Sequence, residues 1–279
     1  MATAGVFPKT ANSDVIFQAD YNAIQSVIAG VVSTYYGNAV SSSQLTGNPI
    51  IAASHWDNLR ADINTAYRHI TNANSTINDV APAGLVTAAD ANAYKVAADY
   101  CETNKNTVAG AQLASAVDST SITAAWNGNH QWTYTYTWPS TEAANYWFNA
   151  GGYFSVDVSG DGSTGSTKDA DWQDNILNAI PTQTYGNTQW DAGNNIDVTE
   201  NGNVSQYTEN FARIFIVKTS PTILTITVII NDADTGDQTG IGAPVDENVE
   251  TNAYASITRY YSVDAITVTA PTPSNTSNW

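Results

Sequence analysis

The chain has 279 residues, with 26 Asp and Glu against 9 Lys and Arg, a formal charge of −17. That length can bury a sizeable core in one or two domains, and a content of 42% hydrophobic and only 13% charged residues excludes the charge-rich, hydrophobe-poor class of disordered chain. The longest apolar run, Ile223 to Ile230, is interrupted by two threonines and falls short of the roughly 18–20 residues of a membrane span, while the sign of the charge argues against a nucleic-acid partner, whose phosphates need clustered Lys and Arg.

The surface is expected to be largely uncharged, because Asn and Thr together supply about a quarter of the chain. Met1 to Lys9 lacks the basic and apolar regions of a secretory signal peptide, so synthesis in a cytoplasm is expected. Cys101 is the sole cysteine, which excludes an intrachain disulfide and a cysteine-based zinc site. It sits at helical spacing with Tyr94, Ala97 and Ala98 and reads as a small core hydrophobe.

Charge and hydrophobic period both change near residue 120. Residues 1–120 carry 9 acidic and 5 basic side chains, whereas residues 121–279 carry 17 and 4 together with seven of the eight tryptophans. The first part predicts helices. Ile16, Phe17, Tyr21, Ile24, Ile28, Val31 and Tyr35 form one stripe at spacings of three and four. Tyr36 to Pro49 is a Ser-, Gly- and Asn-rich loop. A second helix is expected with Ser54 as N-cap and with Trp56, Leu59, Ile63, Tyr67 and Ile70 on its apolar stripe. Arg60, Asp62, Asn64 and Arg68 lie off that stripe, and Arg60 and Asp62 are placed for surface ion pairs. A third helix runs from a Thr87 cap to about Lys105, and Val108 to Val117 adds a further turn or two. These helices are short of bulky aliphatics and predict a thin core. The expectation is therefore self-association through them, with Trp56, Leu59, Arg60, Ile63 and Tyr67 as interface candidates.

The second part predicts strands. Trp132, Tyr134, Tyr136 and Trp138 alternate with Thr133, Thr135 and Thr137, so the four aromatics share one face, and Pro139 ends the run. A short helix, Thr141 to Asn149, stops at Gly151-Gly152. Tyr153 to Ser159 is a strand, Gly160 to Thr167 a polar tip, and Lys168 to Ile180 helical. Later strands are Phe211 to Val217, Ile223 to Ile230 (the best central-strand candidate), about Tyr254 to Tyr261, and Ala265 to Thr269. The fold class is thus α+β: a helical anchoring and oligomerisation region over 1–120, a β-sandwich-like domain with inserted short helices over 121–270, and a tail over 271–279.

Several short segments carry a resemblance. Ile51-Ala-Ala-Ser-His55-Trp56-Asp-Asn-Leu59-Arg60-Ala-Asp62-Ile63 with Tyr67-Arg68-His69, then Ala144-Asn-Tyr146-Trp147-Phe148-Asn149-Ala-Gly151-Gly152, Asp169-Ala-Asp171-Trp172 and Asn210-Phe211-Ala-Arg213-Ile214 together resemble, in order, elements of virion proteins of tailed bacteriophages, particularly phages of marine bacteria and cyanobacteria. Asn145 departs from the pattern, which has a basic residue there. The resemblance covers roughly residues 50–230. It implies a structural component of the virion, most naturally in the tail, baseplate or fibre, with a capsid-surface decoration protein as the alternative. It implies other virion proteins as partners and no activity.

No constellation predicts an enzyme. His55 and His69 are separated by four helical turns, about 21 Å along one helix, and His130 lies beside a turn. The sequence contains no Gly-x-Ser-x-Gly, phosphate loop or His-Glu-x-x-His pattern. Asp157, Asp161, Asp169, Asp171 and Asp174 bracket one loop. Asp232, Asp234 and Asp237 resemble a calcium loop in composition but lack the glutamate at its twelfth position. Solvated turn carboxylates are the simpler reading, and no cofactor is expected. The Trp132/Tyr134/Tyr136/Trp138 face could stack on sugars, which makes a host-surface glycan a further partner and a carbohydrate-binding module the competing function. Packing of this face against the Tyr146–Phe148 helix is the expectation that opposes it.

Overall fold

A computed structural model of the chain describes residues 5–10, 15–47, 50–81, 84–204, 207–233 and 248–279. The fold is α+β. The chain divides into two compact units. The first comprises Met1–Ala114, Asn145–Gly152 and Tyr261–Thr269. The second comprises Ser115–Ala144, Tyr153–Tyr260 and Ala270–Trp279. The leading segment of the first unit ends at Ala114, and two later segments return to the helical unit.

In the first unit, α1 (Gln18–Ala29), α2 (Ala53–Thr71) and α3 (Ala88–Asn104) pack around one core. They run parallel. At their starts the Tyr21 ring meets Trp56 edge-on at 5.5 Å, and Trp56 meets Tyr94 at 5.0 Å. At their ends the Tyr36 ring meets His69 at 4.9 Å, and its hydroxyl donates to the Lys105 carbonyl at 2.6 Å. Parallel neighbours require long returns, and these are held by polar side chains of the helices. The buried Asp62 carboxylate accepts the Ser41 and Ser42 amides at 2.7 and 2.8 Å and the Ser42 hydroxyl at 2.5 Å. The Asn22 carboxamide takes the Leu45 amide at 2.8 Å and donates to the Leu45 carbonyl at 2.9 Å. Asn64 accepts the Ser75 amide and hydroxyl. Asp62 is therefore a loop anchor, not the surface ion-pair partner expected.

Capping follows the sequence at α3 and departs from it at α2. Thr87 and Asp90 form a reciprocal capping box, with amide-to-side-chain distances of 3.2 and 2.9 Å. At α2 the N-cap is Ala52, not Ser54, and its amide donates to the His55 imidazole Nδ1 at 3.1 Å. The first helix ends in a wider π-helical turn over Gly30–Tyr35, which hydrophobic spacing does not distinguish from α-helix.

The core is not thin. Leu45, Ile77, Val80, Ala150 and Ile266 from outside the three helices join it. Ala265 to Thr269, expected as a strand, is irregular; it brings Ile266 to this core and is held by the Gln112 carboxamide on the Ala265 amide at 3.0 Å. Gly151, at φ +83°, has no room for a Cβ against Val108, and a Cβ at Gly152 would meet the Trp147 ring at 2.5 Å. Both glycines are therefore required at this turn.

The second unit holds two antiparallel sheets. One has the order β1-β8-β3-β4, from Leu113–Ile122, Asn252–Ser262, Tyr153–Asp161 and Gln183–Tyr185. The other has the order β5-β6-β7-β2-β9, from Ile196–Asn201, Phe211–Ser220, Ile223–Asp232, Gly128–Thr137 and Thr272–Ser277. β7 is the middle strand of five, the central position expected for Ile223 to Ile230. Its Leu224, Ile226 and Val228 lie opposite Tyr136, Tyr134 and Trp132 of β2, a cross-strand ladder of aromatic on aliphatic residues.

Three expectations are corrected here. Residues near Val108 to Val117 are not a helix: after one tight turn at Gly110–Gln112 they begin β1. Residues 271–279 are not a free tail, since β9 pairs with β2 from Trp132↔Ser277 to Thr137↔Thr272. The expected helix over Lys168 to Ile180 is α5 (Thr167–Ala170) followed by a π-helical stretch over Asp171–Leu177.

His69 supplies a test of the helical core. It is fully buried, its Nε2 has no hydrogen-bond partner among the described residues, and burial pushes its pKa down from 6.5 to about 4. Between those values the unfolded chain binds a proton that the folded chain refuses, so stability is present above pH 6.5 and falls as pH drops towards 4. Lowering pH from 7 to 5 should cost about 2 kcal/mol. Urea titrations of wild type and His69→Gln check this: the substitution should flatten the dependence, and an unchanged slope contradicts it.

Candidate functional site

The candidate residues fall into three places. In the helical unit, Trp56, Leu59 and Ile63 are buried in the chain's own core. Arg60 pairs with Asp79, and the Tyr67 ring lies 5.0 Å from that of Tyr100. Trp56, Leu59 and Ile63 thus close the three-helix core within one chain, and Arg60 and Tyr67 are half-buried at its edge. The stripe repeats at the same spacing whether its partner is a neighbouring segment or another molecule, and periodicity alone cannot separate the two.

In the sheet unit, the aromatic face of β2 points inward. Trp132, Tyr136 and Trp138 are buried and Tyr134 is half-buried. The Tyr136 ring packs on Phe154 of the four-stranded sheet at 4.5 Å, so the other sheet covers this face within the unit. The face is therefore packed, as the expectation opposed to sugar stacking has it, with the facing sheet against it.

The two tyrosines converge on a residue that sequence reasoning missed. Tyr134 and Tyr136 donate to the two oxygens of the Asp118 carboxylate from β1, each at 2.9 Å. Arg259 of β8 reaches the same carboxylate at 3.2 Å, and its guanidinium lies 5.3 Å from the Tyr136 ring centre. Burial, and then the neighbouring carboxylate, raise the pKa of both phenols despite the opposing arginine. Both remain protonated donors, and the carboxylate is occupied on each oxygen. The group fastens β2 to the facing sheet and offers neither a free base nor an ionised nucleophile. A lone Asp alternating with small residues in Ala116-Val-Asp118-Ser-Thr gives no signal of this role.

The acidic loop residues are likewise engaged. Asp169 is buried and accepts the Glu250 amide at 2.8 Å and the Thr251 amide at 3.3 Å, together with the Thr164 hydroxyl. Burial alone would raise its pKa, yet the donors from Thr164, Glu250, Ser166 and Thr251 hold it below the usual carboxylate range. Asp171 accepts the Asn203 amide at 3.0 Å, the Val204 amide at 3.3 Å and the Asn175 carboxamide at 2.7 Å. Of the calcium candidates, Asp234 and Asp237 lie outside the described residues. Asp232 is buried against the Lys168 ammonium at 2.8 Å, which already neutralises it. Among the described residues no group of three His, Cys, Asp or Glu side chains could hold a metal ion.

Removing the Asp118 carboxylate strands two phenols and a guanidinium. Asp118→Ala should lose about 2–4 kcal/mol of unfolding free energy, and Tyr136→Phe about 1 kcal/mol. Denaturant titration of the two variants checks the order, and an Asp118 variant as stable as wild type contradicts the assignment. No family model, curated protein or solved structure matches this chain.

Proposed function

We propose that the chain is a non-enzymatic structural component of a tailed-phage particle, most naturally of its tail, baseplate or fibre, made in the host cytoplasm and assembled with copies of itself and with other virion proteins. The observation that carries this reading is where the segments resembling virion proteins fall. Trp56, Leu59, Ile63, Trp147 and Trp172 are buried, Gly151 and Gly152 form a turn that admits no side chain, and Asp169 and Asn210 are buried polar residues. Asn210 accepts the Ala233 amide at 2.8 Å. These positions carry packing and loop geometry in this chain, which supports a structural role. A capsid-surface decoration protein fits the same observation. Mass spectrometry and imaging of purified particles test the assignment: a fixed stoichiometric presence supports it, and absence from particles overturns it.

Self-association needs a surface other than the buried stripe. The first turns of the three helices lie together, and the residues entering them leave Ile50 and Leu85 each 92% exposed and Val15 63% exposed. Large apolar side chains at one end of a helical unit favour burial against another chain. Light scattering after size exclusion should show an oligomer that Ile50→Ser/Leu85→Ser converts to monomer without lowering Tm. A variant with the wild-type mass contradicts this assignment of the surface.

A further inference from the structure

The outer face of the four-stranded sheet carries a groove that the structural reading leaves unused. Alternation along β3 and β8 turns Val156, Val158, Ala253, Ala255 and Ile257 into the core. It sets Asp157, Ser159, Tyr254 and Ser256 on the opposite face. The register places Asp157 beside Ser256 and Ser159 beside Tyr254, with Asp161 beside Asn252 one step further on. β1 flanks β8 on its other side, and its Ser119, Thr120 and Ser121 complete a cleft of about 240 Å3.

Two features separate this cleft from an ordinary solvated sheet face. Its one aromatic ring is held in place: the Tyr254 hydroxyl donates to Asp161 Oδ1 at 3.1 Å, and the Asn252 carboxamide donates to the same oxygen at 2.8 Å. Its one carboxylate is held too, because Asp157 Oδ1 accepts the Thr182 hydroxyl at 2.7 Å. Side chains fixed before binding lose little rotamer freedom when a ligand arrives.

The lining selects the ligand class. It contains no Lys, Arg or His, and the surrounding residues 121–279 carry 17 acidic against 4 basic side chains, so an anion is repelled. The described residues hold no metal-binding cluster. A row of serine hydroxyls from Ser119, Ser121, Ser159 and Ser256, each both donor and acceptor, with one carboxylate and one aromatic face, matches a ligand that presents several hydroxyls on one edge and a C–H face on the other. The cleft is smaller than the roughly 300–1,000 Å3 that encloses a drug-sized molecule, so it suits a single ring of a longer chain. We propose that this groove binds a neutral saccharide, with Asp157 and the hydroxyls accepting and donating to sugar hydroxyls and the Tyr254 ring packing on the sugar's C–H face. The proposal rests on this sheet alone and not on residence in a particle.

The test uses the full chain on an array of neutral and acidic glycans, followed by NMR titration of the best neutral ligand. Tyr254→Ala and Asp157→Asn should each weaken binding at least ten-fold with Tm unchanged, and Thr199→Ala, on the other sheet, should bind as wild type. Should either groove variant unfold, hydrogen exchange of the wild type with the ligand decides, and protection should appear on residues 254–256 and 157–159. Failure of every neutral glycan, binding of acidic glycans only, wild-type binding by both groove variants, or protection elsewhere overturns the proposal.

Discussion

Irregular backbone held by buried carboxylates and carboxamides is the constraint on which the rest of the structure depends. An amide taken out of water without a partner costs about as much as several surface contacts supply, and this chain has long returns between parallel helices. Asp62 and Asn22 hold one return, and Asn64 enters the other. The same device recurs in the sheet unit, where Asp169 and Asp171 accept pairs of loop amides. The abundance of Asn, Thr and Asp is thus partly structural. These side chains complete hydrogen-bond sets that a helix or sheet ladder would otherwise provide.

Within the sheet unit, apolar packing and one polar clamp divide the task. The ladder of Trp132, Tyr134 and Tyr136 on Val228, Ile226 and Leu224 builds the inner face of one sheet. Asp118 and Arg259 of the facing sheet then fix the two tyrosines by their hydroxyls. Aromatic burial supplies most of the attraction without direction. The carboxylate supplies the direction, because its two oxygens can accept both phenols in one relative placement of the strands.

Legibility in the sequence follows from whether a residue's role repeats. The strand Trp132 to Trp138 and the central strand at Ile223 are readable because alternation and apolar content agree. The α3 capping box is readable because Thr87 and Asp90 are close in sequence. β9 is not, because every residue of Thr272–Ser277 is exposed and none is a large hydrophobe; only its pairing with β2 makes it a strand. Asp118, Asp62 and Asp169 are unreadable for another reason. Each has partners remote in sequence, such as Tyr134 for Asp118, Ser41 for Asp62 and Thr251 for Asp169, and a single carboxylate has the same local appearance at a surface turn as inside a network. The aromatic face of β2 is legible as a face but not in what covers it, since alternation specifies which residues share a side and not what that side meets.

Asp62, Asp169 and Asp171 therefore act as hydrogen-bond acceptors for the chain's own loop amides, while the sheet groove at Tyr254 keeps polar side chains turned outward around a concave surface. The central claim is most directly tested at Asp62. Asp62→Ala, followed by native-state hydrogen exchange and denaturant titration, should remove protection from the Ser41 and Ser42 amides and lower the unfolding free energy by about 2–4 kcal/mol. Retained protection at both amides with a change under about 0.5 kcal/mol would show that the returns are held by something else.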